Sequence, residues 1–177
     1  MIFPKAADER CHAIVQELGP GAAVVVEIGV YVGRLSRRLL EAHPGIFLHM
    51  VDPWAPTGKQ AYAASGDFMA NQDARQQMAV MAQAVAEVSQ HQGRYTIQRM
   101  TSEQASKLYA DESVDLVFID GDHSYEGCST DIRLWWPKVK RCGILSGHDY
   151  RTDKDYGVIR AVQEFKGERE LRLGRNH

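Results

Sequence analysis

The sequence predicts an α/β domain built on a mostly parallel, doubly wound sheet. Three observations carry that expectation. Short apolar runs alternate with helix-like segments at intervals of a few tens of residues, the pattern of successive strand–helix–strand units. The best-formed runs are apolar throughout rather than alternating, as in strands covered on both faces. Glycines, acids and histidines cluster where these runs end, and ligands of such sheets bind beyond the carboxyl ends of the strands.

The elements follow in order. Residues 6–18 read as a short amphipathic helix with Ile14, Val15 and Leu18 on one side, broken by Gly19-Pro20-Gly21. Ala22 to Ile28 reads as the first strand. Leu35 to Ala42 reads as the helix after it, closed by His43-Pro44-Gly45. Ile46 to Val51 is a second strand. Residues 53–71, with two prolines and two glycines, read as a loop. Residues 72–90 have high helix propensity, with Met78 and Met81 expected in the core. Tyr95 to Arg99 is a short third strand and 103–110 a helix, for which Ser102 is a natural N-cap. Val114 to Ile119 is the best-defined buried strand. Residues 127–138 read as a helix stopped at Pro137, with one of Trp135 and Trp136 in the core and the other on the surface. Ile144 and Leu145 lie in a fifth strand, Val158 to Phe165 in a helix, and Leu171 to Leu173 in a last short strand.

The 177 residues suit a single domain, 1–177. With 21 basic and 23 acidic residues and a net charge of -2, the chain lacks the broad basic face of a nucleic-acid binder. Cys11, Cys128 and Cys142 form no Cys-x-x-Cys pair, and an odd count without a framework fits a reducing cytoplasm. The apolar start is too short for a signal peptide, and no run reaches the roughly 18–20 apolar residues of a membrane span.

The first strand ends in Glu27-Ile28-Gly29-Val30-Tyr31-Val32-Gly33. Glycines four apart in a strand-to-helix turn permit a sharp bend and a close ligand approach. The dinucleotide fingerprint Gly-x-Gly-x-x-Gly is not met, because Tyr31 stands at its second glycine, where it would obstruct a pyrophosphate. The second strand ends in Asp52, followed by Pro53. An acid there can accept hydrogen bonds from both ribose hydroxyls, or it can simply open a turn. Together the two ends point to an adenosine-type ligand. The fourth strand ends in Asp120-Gly121-Asp122-His123 and the fifth is followed by Gly147-His148-Asp149-Tyr150. Asp120, His148 and Asp149 could converge on a divalent ion, and His123 is a candidate general base near neutral pH. A hydrogen-bonded polar rim is the bland alternative. Trp54 either walls the adenine pocket or packs under the next loop, and His12, His43, His49 and His91 lie away from the strand ends.

The motif at 27–33 resembles the first cofactor motif of class I S-adenosylmethionine-dependent methyltransferases, and Tyr31 is similar to the tyrosine of catechol-type O-methyltransferases. The stretch from Asp115 through His123 to Gly143-Ile-Leu-Ser-Gly-His-Asp-Tyr150 resembles a group of small methyltransferases related to macrolide-sugar O-methyltransferases. The resemblance covers residues 22–165. It implies a Rossmann-like fold, S-adenosylmethionine as cofactor and a small-molecule hydroxyl as acceptor. It puts Gly29 and Gly33 along the methionine part, Glu27 at its amino group, Asp52 at the ribose, and Ser102 and Glu103 at the adenine, with Tyr31 and Pro53 also among the cofactor-binding residues. Asp120 would lie near the sulfonium and, with His148 and Asp149, would ligate a metal such as Mg²⁺ or Mn²⁺. His123 falls where the catechol enzymes place a catalytic lysine.

Metal-dependent relatives usually have an acid where His148 stands, so either the metal is softer than Mg²⁺ or His148 is itself an acid/base. Met100 and Cys142 occupy positions that are usually glycine. The family's final hairpin is expected to be truncated at His177, leaving a sheet edge exposed or covered by another subunit of a homo-oligomer. Two competing readings are a non-catalytic cofactor-binding domain and a metal-dependent phosphoesterase. The latter normally begins with an Asp-x-His on the first strand, which this chain lacks.

Overall fold

The computed structural model describes residues 7–58, 63, 71–152 and 157–166. Among these, five parallel strands form one sheet in the order β3-β2-β1-β4-β5: β1 (Ala23–Ile28), β2 (Ile46–Val51), β3 (Tyr95–Gln98), β4 (Val114–Ile119) and β5 (Val139–Gly147). Chain order reverses between β1 and β4, and a cleft opens above that switch point. Three helices cover one face: α1 (Ala7–Leu18), α2 (Arg34–Ala42) and α3 (Ala74–Val88). Three cover the other: α4 (Ser102–Ser106), α5 (Tyr125–Trp135) and α6 (Val158–Lys166).

The continuous apolar runs are explained by this layering. Val25, Leu116 and Phe118 face the α1–α3 layer, while Val26, Val117 and Ile119 face α4–α6. Successive side chains of a strand point to opposite faces, so a sheet covered twice needs apolar residues at every position. Full burial of each such side chain contributes about 1.5–3 kcal/mol.

The expected strands appear within a residue or two, except that β5 starts five residues before Ile144. The helix expected over 103–110 stops at Ser106. Its cap is Thr101, not Ser102: the Thr101 hydroxyl accepts the Gln104 N–H while the Gln104 side chain returns to the Thr101 N–H. Adjacent hydroxyl residues compete for the cap, and this reciprocal box decides for Thr101. Met78 is 47% exposed rather than core, whereas Met81 packs partly against the core. Trp135 is fully buried and Trp136 lies half-buried against Phe165. Trp54 packs in the core, its indole N–H donating to the Tyr31 carbonyl at 3.0 Å. The stretch Leu171–Leu173 and most of the 59–70 loop lie outside the described residues. No helix among the described residues is long and apolar enough to cross a membrane.

Candidate active site at the strand ends

Backbone hydrogen bonds carry the sheet one residue past its strands and set the site residues in a row. Gly29 N–H donates to Val51 O, Asp52 N–H to Gln98 O, Asp120 N–H to Ile28 O and His148 N–H to Ile119 O, all at 2.8–3.2 Å. Gly29 sits at φ +81°, and a side chain there would overlap the Asp120 carbonyl. Glycine is therefore required by both conformation and packing.

Above this row lies a cleft of about 440 Å³, in the size range of cofactor sites. Gly29, Tyr31, Asp52, Pro53, Thr101, Ser102, Asp120, Gly121 and Asp122 line it. Gln77 and Asp131, neither singled out in the sequence, line it as well. Glu27, Gly33 and Glu103 are not at its surface. Glu27 is 2% exposed and accepts the Ser36 hydroxyl. Burial pushes its carboxyl from 4.5 to about 8, outweighing the Ser36 hydrogen bond. Gly33, at φ +74°, caps α2 and packs against Ala84 of α3. Glu103 faces solvent and pairs with Lys107.

Asp52 acts first on its own chain. One oxygen accepts the Val30 and Tyr31 N–H groups at 3.0 and 3.1 Å, and the other accepts the Trp54 N–H at 2.7 Å. Burial raises its pKa, and these three hydrogen bonds act against that rise. The clamp holds Tyr31 at φ 55° and Trp54 at φ 39°, a conformation that side chains seldom adopt.

The ends of β4 and β5 are built differently. Asp122 accepts the Ser124 N–H, Ser124 caps α5 through the Gly127 N–H, and the Gly157 N–H donates to the His123 carbonyl. These bonds turn His123 back toward Asp120. The His123 Nε2 lies 3.4 Å from Asp120 and 3.2 Å from Asp149. The His148 Nδ1 lies 2.8 Å from Asp149 and 3.5 Å from Asp120. The other Asp120 oxygen receives Arg10 of α1 at 2.7 Å.

Burial alone would raise the Asp120 pKa and lower that of His148. The mutual hydrogen bonds and charges win: Asp120 falls to about 2 and His148 rises to about 9. At neutral pH, His148 is thus a cation between two carboxylates.

Among the described residues, Asp120, His123 and Asp149 offer three atoms within 4.8 Å of one another that could hold a metal ion. His123 takes the place expected of His148, whose Nδ1 is engaged by Asp149. Arg10 was missed because its partner lies 110 residues away and only α1 packing brings them together. Asp131 had a signal, since it shares the buried face of α5 with Cys128, Ile132 and Trp135. An acid at helical spacing on an apolar face is unusual.

Residues 26–150 match the methyltransferase domain family. No curated protein sequence matches the chain. Among solved structures, precorrin 8w decarboxylase from Methanobacterium thermoautotrophicum superposes with a TM-score of 0.61 at 12% identity, over 92% of this chain and 73% of that one. An S-adenosylmethionine-dependent O-methyltransferase from Thermotoga maritima gives 0.57 at 14% identity, over 88% of this chain and 49% of that one. An O-methyltransferase family protein from Burkholderia thailandensis gives 0.52 at 12%, over 78% and 36%. The chain spans half or less of these two O-methyltransferases, and the likeness is one of fold.

Proposed function

The chain belongs to the methyltransferase domain family, and from its strand-end geometry we propose that it transfers a methyl group from S-adenosylmethionine to the hydroxyl of a small molecule. One observation carries this reading. Asp120 both lines the adenosine-sized cleft and heads the His-Asp cluster, so a donor in the first would meet an acceptor at the second. S-adenosylmethionine supplies an electrophilic methyl carbon on a sulfonium.

The chain's own groups account for the rest. Asp52, already accepting three N–H groups, keeps acceptor capacity for ribose hydroxyls. Tyr31, Pro53, Thr101 and Ser102 line the same cleft. Asp120, held ionised, sets negative charge beside the place of the sulfonium. His123 takes the acceptor's hydroxyl proton as the oxygen–carbon bond forms and the sulfur–carbon bond breaks. Asp120 and Asp149 make His148 hold its proton more tightly than an ordinary histidine, so it is the poorer base. It fixes Asp149 and balances the carboxylate charge. Holding oxygen, methyl and base in line is the main catalytic contribution.

A second reading is favoured by the Asp120, His123 and Asp149 donor set. A divalent ion there would orient the acceptor oxygen and replace His123 as the means of activating it. One imidazole with two carboxylates suits Mn²⁺ better than Mg²⁺. Calorimetric titration with S-adenosylmethionine and S-adenosylhomocysteine, with and without Mn²⁺, tests both. Micromolar binding is expected. A metal-dependent change in binding, with activity lost to a chelator, would favour the second reading. No binding under any condition would overturn methyl transfer.

A further inference from the structure

We propose that the methyl acceptor is an alcohol with a short, uncharged alkyl chain, and that the chain is held in an apolar pocket lined by α5 and α6, beside the donor cleft. The inference rests on the proposed function and deepens it by naming the acceptor class. The pocket has a volume of about 60 Å³ and is lined by Cys128 and Ile132 of α5, Leu145 of β5, and Val162 and Phe165 of α6. All five belong to the core on the α4–α6 face of the sheet. Protein interiors are close-packed, with few voids larger than a water molecule, and the methyl-transfer scheme leaves this one unused.

Its position ties it to the reaction. His123 and His148, just past the ends of β4 and β5, line the same pocket. Gly121 and Asp122 line both the pocket and the donor cleft, so the two cavities are neighbours. His123, the proposed base, therefore borders an apolar space. A hydroxyl held at His123 would send its carbon chain into that space while its oxygen meets the donor's methyl carbon.

The lining sets the chemistry of the occupant. The Ser146 hydroxyl, also in the wall, donates to the Val117 carbonyl at 3.3 Å. Burial pushes the Cys128 thiol up to about 12, so it lines the pocket as an uncharged group. Apolar cavities stay dry, because a buried water needs about two to four polar partners. An unpaired charge is costlier still in such surroundings, which leaves hydrocarbon. A cavity of roughly 150 Å³ holds the six carbons of a benzene ring. By that ratio the 60 Å³ here takes about two or three carbons, too few for an aromatic ring.

The experiment titrates the full chain, in the presence of S-adenosylhomocysteine, with primary alcohols from methanol to hexanol and follows the methyl NMR signals of Leu145 and Val162. Affinity is expected to rise about fourfold per added carbon as far as propanol or butanol and then to level off or fall, with benzyl alcohol no better than ethanol. Val162→Phe fills the pocket and should move that limit down to methanol or ethanol. Val162→Ala enlarges it and should move the limit up by about one carbon. Turnover with S-adenosylmethionine should follow the same order. A merely structural pocket would keep the order of the alcohols in both folded variants, and that result overturns the proposal. It is equally overturned by unmoved Leu145 and Val162 signals, by affinity that climbs to hexanol without a limit, or by alcohols that bind but are not methylated. Alcohol binding by a chain that does not bind S-adenosylhomocysteine would instead sink the donor reading on which the proposal stands.

Discussion

Asp52 and Asp120 occupy matching places, each one residue past a parallel strand, yet their surroundings make them different groups. Asp52 is ringed by three backbone N–H groups. Burial dominates, and its proton is held more tightly than usual. Asp120 is ringed by Arg10, His123 and His148, and the two histidines overcome burial and hold it ionised down to about 2. The first end shapes the chain, fixing two strained residues that wall the cleft. The second concentrates charge and transferable protons. The two ends are thus set apart by what surrounds the same residue type, not by the residue type.

The largest effect is expected at the charged end. His123→Ala should lower turnover about 100- to 10,000-fold while leaving the affinity for S-adenosylhomocysteine within a few-fold. Turnover near that of the unmodified protein would remove His123 from the proton path.

Next comes the clamp. Asp52→Ala strips the acceptor from three N–H groups and should destabilise the fold by about 2 kcal/mol or more, lowering Tm by roughly 4–8 °C. Donor affinity should fall with it, since the turn at 29–33 would lose its anchor. An unchanged Tm would show that the clamp is incidental.

Glu27 at the first end and Asp120 at the second should also answer pH in opposite senses. Glu27 beneath the first end keeps a proton in the fold up to about 8, against 4.5 ordinarily. The unfolded chain releases that proton first, so stability falls as pH rises between those values. In Glu27→Gln that slope should disappear, and the variant should gain on the unmodified protein from pH 5 to 8 in urea unfolding. Asp120, lowered from 3.8 to about 2, contributes stability that is present above 3.8 and lost as pH falls through about 2. His148, raised from 6.5 to about 9, contributes below 6.5 and loses it as pH rises through about 9. Parallel curves for Glu27→Gln and the unmodified protein would mean that Glu27 is ionised in the fold.

The smallest effect is expected at Tyr31. Tyr31→Gly relieves a left-handed backbone worth about 1 kcal/mol but frees the unfolded chain by a similar amount. Stability should move by less than about 1 kcal/mol while donor affinity drops, because Tyr31 walls the cleft. A large gain in Tm would mean that the strain is stored for function.

Much of this was legible in the chain. Continuous apolar runs locate β1, β2 and β4 because a doubly covered sheet admits nothing else. Parallel connectivity then dictates that Gly29, Asp52, Asp120 and His148 share one rim. The methyltransferase assignment rests on these same strand-end motifs, and the family match over 26–150 bears it out. Partners were another matter. That Thr101 rather than Ser102 caps α4, that His123 comes within reach of both Asp120 and Asp149, and that Arg10 meets Asp120 are choices between chemically similar candidates. Distances of a few tenths of an ångström and the packing of distant helices make those choices. Sequence pattern determined which residues reach the rim, because burial and periodicity are local and additive. Tertiary structure alone decided which of them touch, and therefore which hold a charge and which a proton, because electrostatics depends on distance and not on order along the chain.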